Sequence, residues 1–415
     1  MTDLFWPGDE RAGDLFSPVG FLEAMVRVEA VWLETMVAAG LFPGDAVDDL
    51  TDLVSGADVV FVASGAEADG NPVIPLLAGL RERLSARNPT AGQWLHRGLT
   101  SQDVLDSALM LCARDSSARL ERELTTQITA LSSLADFHRR SVQTGRTLTQ
   151  PATPITFGLK AANWLHGILD ARDRLLAAGS GLAGQFGGAA GTLGAVTQLA
   201  AARGKRQPGE VALAVTADAC ERLGLAARPA WHTTRGPMTQ WADALVACSD
   251  AWGHVANDVL LLGRPEIGEL AEPVVVGRGG SSAMPHKSNP VLSVLIRRAA
   301  LAAPGAAAQL HLSAASMLDE RPDGGWHLEW ATLATLARRT VTAGSQTTEL
   351  LAGLQVDTTR MATNAQVAAA GLLAESRSVD GWTQATSSDL LADNLGASDL
   401  LIDAALARTH RPEQP

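Results

Sequence analysis

Residues Gly279-Gly280-Ser281-Ser282-Ala283-Met284-Pro285-His286-Lys287-Ser288-Asn289-Pro290 crowd two adjacent hydroxyls, one ammonium and one amide between glycines and prolines. Two prolines without N–H donors and three φ-permissive or turn-forming neighbours exclude a helix interior. The segment is expected to be a mobile loop. Its lysine and asparagine suit a carboxylate, and its hydroxyls suit proton movement at a neighbouring carbon. Lys287 is one of only three lysines, with Lys160 and Lys205.

Five further segments carry candidate groups; one is Asp319-Glu320-Arg321 with the following Gly324-Gly325-Trp326-His327-Leu328-Glu329-Trp330, whose Trp326 and Trp330 read as core or interface packing. In Trp94-Leu95-His96-Arg97-Gly98-Leu99-Thr100-Ser101-Gln102-Asp103, a hydroxyl can cap a long helix while Asp103 completes a capping-box-like pattern. The same helix start offers free amides to an anion. In Gly145-Arg146-Thr147-Leu148-Thr149-Gln150-Pro151, Arg, Thr and Gln donors precede another long helix. Gln185-Phe186-Gly187-Gly188-Ala189-Ala190-Gly191-Thr192 resembles a phosphate cradle only in its glycines; no strand precedes it, so a dinucleotide fingerprint is rejected. In Trp231-His232-Thr233-Thr234-Arg235, Arg235 could grip a carboxylate with both arms of its fork. His138, His166, His254, His311 and His410 read as ordinary helix or tail residues.

The elements that must hold these groups are helical. Phe21, Met25, Val28, Val31, Trp32 and Met36 recur at helical spacing over 18–40. Shorter helices are expected near 46–64 and 74–86. A long proline-free pattern spans 104–142, and others span 155–184, 209–224, 238–262 and 328–352, with a kinked one at 291–316 around Pro304. Period-two alternation is nearly absent. The fold expected is all-α, with a central bundle of very long helices shared between subunits.

Bulk composition narrows the chemistry. The net charge of −12 over 415 residues disfavours nucleic acid. Cys112, Cys220 and Cys248 are far apart and show no disulfide or metal spacing, which fits a reducing cytoplasm. No secretory signal, membrane span, metal or cofactor is expected.

Together, Thr100-Ser101, Gly145-Arg146-Thr147…Gln150 and the Gly-Ser-Ser-x-x-Pro-x-Lys-x-Asn-Pro word resemble the fumarase/aspartase superfamily in content and order. The resemblance covers about 15–370. Gly70-Asn71-Pro72, Gln185–Thr192, Trp231–Arg235, Glu266-Ile267-Gly268-Glu269 and Gly324-Gly325-Trp326-His327-Leu328-Glu329-Trp330 place it nearest the cycloisomerase branch, whose members close a lactone on a tricarboxylic diene. The resemblance implies three helical domains (1–99; 100–352 with the loop 277–290; 353–415), a twenty-helix core in a homotetramer, and sites shared by three subunits. It implies Ser281 as the proton-transfer serine and His96 as a second catalytic group. Lys287, Asn289, Thr100, Ser101, Gln150 and Arg235 would bind a small polycarboxylate, and Arg146, Arg235, Arg278, Lys287 and Arg321 are the cations expected to offset the overall −12 around it. Related C–N lyases carry histidine after Gly-Arg-Thr; here the residue is Leu148. Since leucine cannot protonate an amine as it leaves, an acidic leaving group is favoured. The competing readings are a C–N lyase, including a nitrite-releasing one, and a silent scaffold.

Overall fold

The apolar spacing of the chain folds mostly into helices, joined among the described residues by four short strands. The computed structural model describes residues 3–281, 283–284, 287–373 and 391–409. Ser282, Pro285 and His286 of the glycine- and serine-rich loop, and His410 of the tail, lie outside them. The early helices are α1 (Pro18–Ala38), α2 (Asp58–Asp69), α3 (Val73–Arg87) and α4 (Pro89–Trp94). The long helix α5 (Ser101–Phe137) leads into a hairpin of β1 (Val142–Thr147) and β2 (Gln150–Thr156). After α6 (Phe157–Ser180) come α7 (Gly194–Ala202), α8 (Pro208–Leu223), α9 (Gly236–Leu262) and the short β3 (Leu270–Ala271). Then follow α10 (Val291–Ala315), α11 (Gly324–Ala352), β4 (Gln355–Val356), α12 (Thr358–Leu372) and α13 (Ser398–Arg408).

Local chemistry explains the boundaries. Ser17 Oγ accepts from Gly20 N at 3.0 Å and Pro18 opens α1. The 37 residues of α5 make a rod of about 55 Å. Two expectations fail locally. Residues 46–64 are not one helix, because Asp49 Oδ1 accepts from both the amide (2.9 Å) and hydroxyl (2.6 Å) of Thr51, holding a turn that competes with helix. The segment from 142 to 156 is an antiparallel hairpin rather than helix end and loop.

The chain divides into two compact units, Met1–Arg119 with Leu175–Leu245 and Pro304–Val341, and Leu120–Arg174 with Val246–Ala303 and Thr342–Pro415. In the first, Trp32, Trp231 and Trp241 are fully buried, and Trp32 stacks on Phe186 at 5.4 Å. In the second, Trp164 and Trp252 are fully buried; Trp252 Nε1 donates to Gln127 Oε1 at 2.8 Å, and Gln127 in turn donates to Gly344 O at 3.0 Å. Small residues set the helix spacing there: a Cβ on Gly253 would come 2.6 Å from Ala300 Cβ. The helix α10 continues through Pro304, and only about a third of its long apolar stretch is buried.

Candidate active site

In the first unit, the expected groups gather at the start of α5. Thr100 N donates to Asp103 Oδ2 at 3.0 Å, the reciprocal half of a capping box. Asp103 is fully buried and collects four more donors: Gly187 N and Gly188 N at 2.9 Å each, His232 Nε2 at 3.1 Å and Gln185 Nε2 at 3.3 Å. One carboxylate thus ties the helix start to the Gly187-Gly188 turn and to the Trp231-His232 segment. The helix dipole favours its charge there. Gln185 extends the lattice, since its Oε1 accepts from Trp231 N at 2.7 Å. The glycine run that looked like a phosphate cradle is therefore a backbone clamp on Asp103.

Thr100 is nearly buried and its Oγ1 accepts from the Arg321 guanidinium, which also donates to Ala189 O at 3.0 Å. Arg321 is otherwise exposed, so a cation stands beside the Thr100–Ser101 pair. His96 lies four residues upstream in the left-handed region, with φ of 66°, and its Nδ1 sits 2.6 Å from Glu29 Oε1. Burial lowers the proton affinity of His96, but the attraction and hydrogen bond of Glu29 outweigh it, leaving it above the ordinary histidine value.

Arg235, expected to grip a substrate carboxylate, is instead held by the protein's own carboxylates. Its side chain is fully buried between two carboxylates that are also fully buried. Nη1 donates to Asp106 Oδ2 at 2.6 Å and Nη2 to Asp106 Oδ1 at 3.0 Å. Nη2 also donates to Glu329 Oε2 at 2.6 Å, and Nε to both Glu329 oxygens at 3.1 and 3.0 Å. Trp231 O and His232 O take the remaining capacity of Nη1, and the Trp231 ring lies 4.6 Å away under the guanidinium. No donor is left for a substrate, so Arg235 is a structural cation. Trp326 Nε1 and Gln102 Nε2 complete the same cluster on Asp106 at 2.9 and 3.1 Å.

In the second unit, Gln150 opens β2 and is exposed. The hairpin turns at Leu148 and Thr149, whose φ values are 49° and 69°. Two consecutive left-handed residues form the mirrored two-residue turn that matches strand twist. Leucine and the β-branched Thr149 fit it poorly, so the turn carries strain held by its surroundings. Those surroundings centre on Glu269, which is fully buried. It accepts from Arg146 Nη2 at 2.7 Å, Gln143 Nε2 at 2.7 Å and Asn364 Nδ2 at 2.8 Å. The hairpin is thereby fastened to α12, with Leu148 96% exposed at its tip.

The glycine- and serine-rich loop closes on itself at its base. Gly279 O accepts from Asn289 N at 2.8 Å and from Asn289 Nδ2 at 3.0 Å. Only glycine fits there: φ is 72° and a Cβ would meet Asn289 O at 2.5 Å. Ser281 Oγ accepts from Met284 N at 3.2 Å and Lys287 is exposed. Glu272 receives Leu292 N (3.0 Å) and Ser293 N (2.6 Å), capping α10 and fixing the far end of the loop. Arg278 pairs with Glu349 at 2.6 Å. Of five cations expected near an anionic substrate, Arg146, Arg235 and Arg278 are therefore engaged by protein carboxylates, while Lys287 and Arg321 remain exposed. The carboxylates of Glu29, Asp106, Glu269 and Glu329, which organise these segments, were missed by sequence reasoning. Glu29 left a signal: it interrupts the apolar stripe Met25, Trp32, Met36 at the same helical spacing.

Comparison with known proteins identifies the family and the fold. The family profile described as Lyase matches residues 60–305. The chain is similar to nitrosuccinate lyase of Streptomyces davaonensis, 38% identical over 370 residues, covering 86% of this chain and 75% of that protein. It is similar to 3-carboxy-cis,cis-muconate cycloisomerase of Pseudomonas aeruginosa, 37% identical over 369 residues, covering 88% and 78%. Its fold matches the crystal structure of 3-carboxy-cis,cis-muconate lactonizing enzyme from Pseudomonas putida with a TM-score of 0.81, 29% identity and 96% of each chain covered. The chain is an enzyme of the fumarase/aspartase superfamily.

Proposed function

We propose that this enzyme lactonises 3-carboxy-cis,cis-muconate to 4-carboxymuconolactone. One substrate carboxylate oxygen adds to the diene, forming the C–O bond, and the α-carbon takes up one proton. Written in reverse, the reaction is a β-elimination whose leaving group is a carboxylate, stable as an anion without protonation. The observation that supports this reading, along with any reaction whose leaving group departs as an anion, is the hairpin tip. Thr147, Leu148, Thr149 and Gln150 include no acid or base, and the neighbouring Arg146 is spent on Glu269. An amine leaving from Cβ would need a general acid, worth roughly 10²–10⁴-fold.

In this reading Ser281 moves the proton at the α-carbon, and His96 is the second catalytic group. Lys287, Asn289, Thr100, Ser101 and Gln150 bind the three carboxylates, with Arg321 beside Thr100 adding a cation. Local positive charge focused in a cleft outweighs the overall −12. The enzyme is a homotetramer whose sites draw these segments from neighbouring subunits; the sparsely buried apolar α10 supports such a shared bundle. Pure protein mixed with 3-carboxy-cis,cis-muconate is expected to abolish the diene's ultraviolet absorbance. An unchanged absorbance together with fumarate formed from adenylosuccinate would overturn the assignment.

A second reading rests on the 38% identity to the nitrosuccinate lyase. There the Cα–H and Cβ–N bonds break and fumarate and nitrite leave. Nitrite, like a carboxylate, departs unprotonated, so Leu148 is equally compatible. Release of nitrite from nitrosuccinate with an unchanged diene would select it.

A further inference from the structure

The helix α1 buries a carboxylate where its pattern calls for an apolar residue. Met25, Val28, Trp32 and Met36 are all buried, and Glu29 between them is fully buried too. A lone ionised carboxylate in such a setting is unfavourable unless a cation pairs with it. Glu29 Oε1 lies 2.6 Å from His96 Nδ1, while its Oε2 is buried with no hydrogen-bond partner among the described residues. The carboxylate's charge is thus answered on one side alone, by the imidazole. A carboxylate only accepts, so Nδ1 carries the proton and donates.

The loop bearing His96 is held in an unfavourable backbone conformation by the same helix. His96 has φ of 66°, and Trp32 Nε1, three residues after Glu29, donates to Arg97 O at 2.8 Å. Gly98 has φ of 90°, and a Cβ there would meet Val196 Cγ2 at 2.9 Å. A strained residue persists where its surroundings over-determine it, and such places are enriched in functional groups. No described residue bonds His96 Nε2, and Thr100 follows four residues later. Two other charges act on the ring through their fields: Asp103 from α5 favours its protonated form, and Arg81 from α3 opposes it.

We propose that Glu29 is a positioning residue that fixes His96 as an imidazolium, with Nδ1–H given to Glu29 and Nε2–H presented to a substrate carboxylate. This deepens the proposed function and rests on His96 lining the substrate site. A cationic donor strengthens as negative charge accumulates on that carboxylate when the α-proton is lost or gained, so it favours the aci-carboxylate over the bound substrate. No proton is consumed by the dyad itself.

The test uses the full-length enzyme with ¹³Cε1-labelled histidines, the His96 resonance being identified by its loss in His96→Gln. In the parent, His96 should stay charged to a pH at least about one unit higher than in Glu29→Gln, a tenfold difference in proton affinity. Coincident midpoints would overturn the dyad, and this arm needs no substrate. On whichever substrate the enzyme turns over, Glu29→Gln should raise KM about tenfold at pH 8 but less than threefold at pH 6. His96→Gln, which keeps a neutral donor, should raise KM at both pH values and flatten the profile. A shifted NMR midpoint with an unmoved KM profile would refute the substrate-facing role, and loss of activity without any pH signature would reduce Glu29 to a purely structural group. If 3-carboxy-cis,cis-muconate is not a substrate while the NMR midpoints differ, the substrate assignment fails and the dyad stands.

Discussion

Replacing Arg235 by methionine separates a structural cation from a substrate-binding one. The side chains of Arg235, Asp106 and Glu329 have no exposed surface, and the guanidinium bonds the two carboxylates at 2.6–3.1 Å. Burial alone would lower its proton affinity, yet Asp106 and Glu329 together push it above the ordinary guanidinium range. Methionine removes the cation and leaves two buried carboxylates facing each other. Breaking a buried pair in this way costs roughly 3–5 kcal/mol. At about 2.1 cal/mol/K per residue, the 415 residues give an unfolding entropy near 0.9 kcal/mol/K, so Tm should fall by about 3–6 °C. Calorimetry should record that drop, while KM of the folded fraction stays within about threefold of the parent. Adding Asp106→Asn and Glu329→Gln to Arg235→Met should recover much of the loss, because the unpaired charges are then gone. An unchanged Tm with KM raised tenfold or more would refute the structural assignment and return Arg235 to the substrate.

Other consequences follow from single residues. Because the folded state raises the proton affinity of His96, that group's stabilisation is complete below the unfolded value of about 6.5 and disappears as pH rises through the higher folded value. Urea unfolding from pH 6 to pH 9 should show the parent losing stability relative to Glu29→Gln over that window; a parallel pair of curves would contradict it. Lys287→Met should leave Tm within about 1 °C, since the side chain is exposed, but raise KM some 10–100-fold by removing a charged bond worth roughly 1.5–3 kcal/mol; an unaltered KM would remove Lys287 from the site. Glu269→Gln should loosen the hairpin, seen as faster amide exchange across 142–156 than in the rest of the second unit, and equal rates would contradict the clamp.

Helical spacing made most of the architecture legible. The ends of α1, α3, α6, α8, α9, α10 and α11 lie close to where apolar periodicity, prolines and glycines placed them. The hairpin escaped because its turn is Leu148-Thr149 rather than the Asn-Gly type that announces such a turn, and because Pro151 and Pro154 argue against a strand. The short helices α4 and α7 are below the length at which periodicity speaks. Of the candidate site, the capping pair of Thr100 and Asp103 was readable from local spacing. The partners of Arg235 were not, because Asp106 and Glu329 lie 129 and 94 residues away in the chain and their meeting is a property of the fold. An arginine read alone looks available; its burial decides otherwise.

The relative efficiency of two leaving groups tests the account most directly. The ratio of kcat/KM for 3-carboxy-cis,cis-muconate to that for adenylosuccinate, measured on the parent enzyme at one pH, compares the addition of a carboxylate, whose transition state is shared with its departure, with the departure of an amine. Without a general acid at Leu148 the ratio should exceed about 100. A ratio of one or less would contradict the account.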